Sequence, residues 1–111
     1  LDSQVSLPGF LDPASLLGSA DVMALPRASE NLSYSLLDAI TSGLGVVASP
    51  VGGNVELLPS RCLVDPTATE NFAAALIVQA EEPEQRPTLP AQWPTVAQMT
   101  ASIARVYDSC D

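Results

Sequence analysis

Short apolar runs alternate along the chain with stretches in which apolar residues recur every three or four positions. Runs of four or five apolar residues are typical of buried strands, whereas the longer spacing is typical of a helix with one buried face. Glycine or proline follows most of these segments and marks the turns between them. The pattern predicts strands at 4–7, 22–25, 45–49 and 62–65.

The helical stretches carry recognisable start and stop signals. Asp12 followed by Pro13 is typical of a helix start, with aspartate as the N-cap and proline at the first helical position. Leu36 and Ile40 share one helical face, and Gly43 stands where a C-cap glycine is expected. The other predicted helices lie at 54–58, 69–80 and 93–107.

Strands that alternate with helices predict a parallel sheet whose crossover helices cover both faces. We therefore expect an α/β fold, namely a Rossmann-like, three-layer α/β/α domain with a parallel sheet of about four strands. A length of 111 residues and a hydrophobic fraction of 47% fit a single globular domain over 1–111.

Charge and composition exclude several classes of function. The formal net charge is −9, from 13 acidic residues against four arginines and no lysine. Such a chain is not expected to bind nucleic acid or an anionic membrane surface, because both depend on cationic contacts. No apolar run approaches the ~20 residues of a membrane-spanning helix, and the first residues do not resemble a signal peptide.

Histidine and cysteine usage narrows the chemistry further. The absence of histidine excludes a Ser-His-Asp triad, a Cys-His pair and any histidine-ligated metal site within this chain. Cys62 and Cys110 are expected to be free thiols in a reducing compartment, so we expect a cytoplasmic location. No metal ligand set is predicted.

The stretch 26–43 opens as a loop after the strand at 22–25 and closes as a helix. Its carboxylates are Glu30 on the loop and Asp38 in the helix. Open α/β sheets bind their ligands at the carboxyl ends of the strands, and a helix N-terminus favours anions. A carboxylate beside such a helix N-terminus can receive a ligand that is part sugar and part phosphate.

Short motifs occur in a recognisable order along the first 66 residues. They are Gly9-Phe10, Leu17 with Ala20-Asp21-Val22, Leu25-Pro26, Glu30-Asn31-Leu32 with Asp38-Ala39, and the runs at 42–48, 51–56 and 63–66. At these spacings the chain resembles the C-terminal, nucleotide-sugar-binding domain of retaining GT-B glycosyltransferases of family four. The resemblance is close from 5 to 65 and loose over the final helices.

The resemblance implies the last part of a GT-B enzyme that moves a hexose from a nucleotide diphosphate sugar to an acceptor hydroxyl. In that family two glutamates are separated by seven residues; here Glu30 fills the first place and Asp38 the second. Glu30 is the implied catalytic residue and contacts the donor sugar, while Asp38 holds the ribose. The other implied donor-binding residues are Asn31, Leu32, Ser33 and Tyr34. The backbone N–H groups of Leu32, Ser33 and Tyr34 are expected to face the diphosphate.

The same family implies partners and an organisation outside these residues. The donor is a co-substrate, and neither a cofactor nor a catalytic metal is expected. The acceptor-binding N-terminal domain and the cationic diphosphate clamp, an arginine and a lysine, are expected upstream. The segment 93–111 is expected to be a terminal helix that crosses back to that domain. Through the missing domain the enzyme is expected to reach the cytoplasmic face of a membrane.

Other interpretations rest on specific residues. A non-catalytic α/β interaction module, or a degenerate transferase domain, is favoured by the lack of lysine, by the shorter Asp38 and by the strong acidity. A dinucleotide-dependent oxidoreductase is suggested by Gly-Leu-Gly-Val-Val-Ala at 43–48. That motif must follow a strand and open a helix, whereas here it follows a predicted helix and enters a strand, so it is excluded.

Overall fold

A computed structural model describes residues 4–9, 11–27, 34–90 and 96–109 of the chain. Over these residues it contains five α-helices and two strands. Their order is α1 (Pro13–Ser19), β1 (Val22–Leu25), α2 (Tyr34–Thr41), β2 (Gly45–Ala48), α3 (Asn54–Leu57), α4 (Thr69–Glu81) and α5 (Val96–Ser109). Two short 3₁₀ turns lie at Ser60–Cys62 and Pro83–Gln85.

The two strands pair in parallel, as the alternation with helices predicts. Val22 is opposite Gly45, and Leu25 is opposite Ala48. On the other side of β2, Leu63 forms a single parallel bridge with Ala48, and the Val64 N–H donates to the Ala48 carbonyl oxygen at 2.9 Å. The order across the sheet is therefore β1, β2 and the bridge at Leu63.

Both faces of β2 are covered, because all four of its residues are buried. Successive side chains of a strand point to opposite faces. Val46 and Ala48 join the main hydrophobic cluster, whereas Gly45 lies against Gln79 of α4. The main cluster comprises Leu36, Ala39, Ile40, Leu44, Val46, Ala48, Leu57, Leu58 and Cys62. The predicted layering of helices on both faces of a parallel sheet is thus present around β2.

The predicted sheet of about four strands is wrong for the described residues, which contain two. Residues 4–9 form no strand and are all exposed. The run at 62–65 begins within the 3₁₀ turn and is followed by Pro66, which leaves room for one bridge only. The strand expected at 45–49 ends one residue earlier, at Ala48.

Several local signals are confirmed. The Asp12 carboxylate accepts a hydrogen bond from the Ala14 N–H at 3.2 Å and caps α1. Gly43 ends the turn after α2 with a φ of 81°, a left-handed conformation that favours glycine. The Gly-Leu-Gly-Val-Val-Ala run at 43–48 follows α2 and includes β2, so it leads from a helix into a strand, as its exclusion as a dinucleotide motif requires.

The final helix is longer than any other in the described chain and carries the predicted apolar positions. All of its side chains from 97 to 109 are exposed, including Met99, Ile103, Val106 and Tyr107. The start expected at Trp93 lies outside the described residues. The crossing role of the segment 93–111 stays a prediction.

The side chain of Gln79 is buried and ties α4 to the edge of β2. Its Oε1 accepts a hydrogen bond from the Val46 N–H at 3.1 Å, and its Nε2 donates to the Gln85 carbonyl oxygen at 2.8 Å. The segment that contains Leu63 pairs with β2 only at Ala48. The glutamine therefore accepts from an N–H group that a longer strand at this segment would have paired. A buried N–H left without such a partner is costly.

Arg86 also links the C-terminal end of α4 to the residues that precede β2. Its guanidinium donates to the carbonyl oxygens of Gln79, Ala80 and Gly43 at 2.9, 3.3 and 3.2 Å. These contacts bring the C-terminal end of α4 against the turn that enters β2. The amino-terminal edge of the sheet is therefore held by one amide and one guanidinium.

Gly45 is required by this close packing. A Cβ added there would lie 2.7 Å from the Gln79 Cβ and 2.9 Å from the Gln79 carbonyl oxygen. Overpacking of this kind typically costs about 1–3 kcal/mol. The sheet and α4 approach each other closely because this position has no side chain.

We predict that Gly45→Ala lowers the free energy of unfolding by about 1–3 kcal/mol, because the methyl group displaces α4 from β2. Gly18→Ala is the matched control, since nothing lies within 4 Å of the added Cβ within α1. That control should be neutral or stabilising by about 0.5–1 kcal/mol, from helix propensity. Chemical denaturation measures both, and equal stabilities of the two variants would contradict the close packing.

Candidate functional site

A cleft opens at the carboxyl ends of the parallel segments. It has a volume of about 440 Å³ and is lined by Pro26, Arg27, Ser49, Pro50, Val51, Asp65, Pro66 and Thr67. The first two residues follow β1, the next three follow β2, and the last three follow the bridge at Leu63. The cleft therefore lies at the edge where open α/β sheets bind their ligands.

Proline ends each of the three segments at this edge. Pro26 follows β1 directly, Pro50 follows β2 by two residues, and Pro66 lies three residues after the bridge. Proline has no N–H and cannot continue a ladder of backbone hydrogen bonds. The prolines end the backbone pairing of the segments, and the opening of the cleft therefore has few backbone N–H donors.

Most N–H and hydroxyl groups of the remaining cleft residues donate hydrogen bonds within the chain. The N–H groups of Ser49, Val51 and Thr67 donate to the Leu25 carbonyl oxygen, the Ser49 carbonyl oxygen and Asp65 Oδ1 at 3.0, 2.8 and 2.9 Å. The Ser49 hydroxyl donates to the Leu25 carbonyl oxygen at 3.3 Å, and the Thr67 hydroxyl donates to Asp65 Oδ1 at 2.7 Å. The cleft is consequently rich in acceptors.

Asn54 supports the cleft from the buried side. Its Nδ2 donates to the Ser49 carbonyl oxygen at 3.0 Å, which fixes the turn between β2 and α3. The side chain is fully buried, and its Oδ1 has no hydrogen-bond partner among the residues that the structure describes. Gly52 in the same turn has a φ of 52°, which explains the glycine there.

Asp65 is the carboxylate of this cleft. The backbone N–H of Thr67, and then its hydroxyl, lower the pKa of Asp65 below the ordinary value of an aspartate. The side chain is accessible to solvent and stays ionised at neutral pH, so it can only accept hydrogen bonds. Sugar hydroxyls are suitable donors for such a group.

The helix α2 carries the described part of the predicted site. Tyr34 is its first residue and is 82% exposed. Asp38 lies one turn later and lines a smaller recess of about 160 Å³ with Ser35, Leu16, Leu17 and Met23. This recess lies between α1, β1 and α2, and Asp38 does not line the cleft that contains Asp65.

Four of the predicted site residues, Glu30, Asn31, Leu32 and Ser33, lie outside the described residues. Tyr34 and Asp38 lie one helical turn apart, on roughly the same face of α2. The roles of all six residues stay predictions.

A comparison of the sequence with models of protein families identifies the family of this chain. The model of the family described as glycosyl transferases group 1 matches residues 1–81, which is well over half of the 111-residue chain. The chain belongs to this glycosyltransferase family. The resemblance carried by the sequence motifs is thereby confirmed, and the matched region ends at the last residue of α4. Searches of curated proteins and of solved structures find no match.

In this group 1 glycosyltransferase domain, the sequence predicted a ligand at the carboxyl end of the strand before the loop 26–43, but it did not predict the set of residues that lines the cleft. Arg27 does not correspond to the arginine or the lysine with which the family binds the diphosphate. Asp65 belongs to the matching motifs only as the last residue of a predicted strand. The signal that was available is the proline after each predicted strand, since residues that follow parallel strands share one edge of the sheet. Arg27, Val51 and Thr67 each follow one of these prolines, so the pattern predicts that they lie at the same edge of the sheet.

Metal and membrane features are absent from the part of the chain that the structure describes. Among residues 4–9, 11–27, 34–90 and 96–109 there is no cluster of three potential metal ligands. No helix in the same ranges is long and apolar enough to span a membrane. Cys62 is a free, buried thiol, and burial raises its pKa, which disfavours the thiolate form. Cys110 lies outside the described residues.

We predict that Thr67→Val raises the pKa of Asp65 but leaves it below its ordinary value, because the hydroxyl donor is lost and the backbone N–H remains. A carboxylate with a lowered pKa stabilises the fold above its unfolded-state pKa, and this contribution disappears as the pH falls through the folded-state pKa. Carboxyl-detected NMR titration measures the shift. Thr100→Val, in α5, is the control, and an unchanged Asp65 pKa in Thr67→Val would contradict the assignment.

Proposed function

We propose that this glycosyltransferase domain binds a nucleotide diphosphate sugar and presents its hexose to an acceptor hydroxyl held by an N-terminal domain of the same enzyme. The observation that supports this most directly is the cleft at the carboxyl edge of the sheet in a chain of this family.

Asp38 is proposed to bind the ribose of the donor. Its carboxylate lines the recess beside Ser35, with Leu16, Leu17 and Met23 on the apolar side. Two vicinal hydroxyls suit a carboxylate, which accepts hydrogen bonds at both oxygens. The apolar wall offers a surface for the sugar ring or the base.

Glu30 is proposed as the residue that contacts the transferred sugar. It precedes Asp38 by eight positions in the chain, and its loop joins β1, which ends at the cleft, to α2, which begins at Tyr34. A loop with these two ends starts and finishes near the carboxyl edge of the sheet. Asn31, Leu32, Ser33 and Tyr34 lead from Glu30 into the helix and are proposed to approach the diphosphate with their backbone N–H groups.

A non-catalytic binding module is the second candidate. The absence of lysine and the formal charge of −9 favour it, because a diphosphate is attracted by cationic groups. The two candidates differ in a measurable property, since a module without donor affinity binds no nucleotide sugar.

Isothermal titration of the longest native chain that carries this sequence, with UDP-, GDP- and ADP-sugars, tests the proposal. One of them should bind, and Glu30→Ala or Asp38→Asn should weaken that binding by about 10- to 100-fold, because each loses a charged hydrogen bond. Asp38→Glu should retain affinity, since the longer carboxylate is the residue expected from the family.

Glu81→Gln is the matched control, because it removes an exposed carboxylate at the far end of α4. Its affinity should equal that of the unmodified chain. Absence of binding by every nucleotide sugar would favour the non-catalytic module. Unchanged affinity in both Glu30→Ala and Asp38→Asn would remove the proposed roles.

A further inference from the structure

The chain has few cationic side chains, and the structure describes all of them. The sequence contains four arginines and neither lysine nor histidine. Arg61 donates to the Gln85 carbonyl oxygen at 2.7 Å, and Arg86 donates to three carbonyl oxygens at the amino-terminal edge of the sheet. Arg105 lies on α5, where it donates to the Ser102 hydroxyl. Arg27 is the one arginine among the residues that line the cleft.

The cleft supplies few other donors for an anion. Of its eight lining residues, three are prolines without an N–H. In three others, Ser49, Val51 and Thr67, the backbone N–H donates within the chain. Both lining hydroxyls also donate within the chain. The guanidinium of Arg27 brings several N–H donors in a planar fork, which matches the geometry of a phosphate.

The geometry points to Arg27 as the residue that binds the diphosphate of the donor in this cleft. The inference rests on the proposed function, because it names the group that holds one part of the proposed ligand. It assigns to Arg27 a role that its position in the sequence did not predict. A charge-assisted pair between arginine and phosphate is also the strongest kind of contact available to a chain with so few cations.

The charges of the cleft orient the ligand. Arg27 follows β1 and Asp65 follows the bridge at Leu63, with β2 between them, so their backbones are about 10 Å apart, two strand spacings. The ionised Asp65 repels a phosphate and accepts hydrogen bonds from hydroxyl groups. The phosphates therefore lie on the Arg27 side of the cleft.

Titration of the longest native chain with two kinds of probe tests this role. The probes are nucleoside diphosphates (UDP, GDP and ADP) and the corresponding nucleosides. Arg27→Gln should lower the affinity for the nucleoside diphosphate that binds by about 10- to 100-fold. It should change the affinity for the corresponding nucleoside by less than about twofold. Arg27→Lys should recover part of the loss, because it restores the charge without the planar fork.

Arg105→Gln is the control with the same change of charge, and it should bind like the unmodified chain. Thermal unfolding of each variant verifies the fold, and the exposed position of Arg27 is expected to tolerate substitution. Equal diphosphate affinity in Arg27→Gln and Arg105→Gln would overturn the inference while the proposed function stands. Equal loss of nucleoside and diphosphate affinity would overturn it as well. Absence of any nucleotide binding by the unmodified chain would overturn both proposals.

Discussion

The amide of Gln79 occupies a hydrogen-bonding position that a third strand would otherwise fill, and the arrangement of the sheet depends on it. It binds the Val46 N–H on one side and the Gln85 carbonyl oxygen on the other. Because Gly45 has no side chain, α4 comes close enough for this contact. With β2 fixed in this way, β1 and the bridge at Leu63 align on either side of it.

The two edges of the sheet differ in chemistry as a result. At the amino-terminal edge, Arg86 is engaged with three backbone carbonyl oxygens and supports the fold. At the carboxyl edge, prolines stop the pairing of every segment and leave a cleft whose charged side chains are Arg27 and Asp65. This glycosyltransferase domain has a net charge of −9, and one of its four arginines lies in the cleft where we propose that the donor diphosphate binds.

The sequence pattern predicted β1 at its observed bounds, the cap at Asp12, the left-handed Gly43 and the family. These features depend on local signals or on the order of short motifs. The number of strands was overestimated, because an apolar run such as 62–65 does not reveal whether a partner backbone lies beside it. The set of residues that lines the cleft was not predicted, because these residues come from three separate turns and only the register of the strands brings them together. The placement of Asp38 in a separate recess depends likewise on how α1 packs against β1 and α2.

Amide chemical-shift mapping of the longest native chain with a bound nucleoside diphosphate tests the account most directly. We expect the largest shifts at Arg27 and Val51, which line the carboxyl-edge cleft, and small shifts at Gly43 and Arg86 on the opposite edge. Shifts concentrated at Gly43 and Arg86, or no saturable shifts at all, would contradict a donor site at the carboxyl ends of the strands.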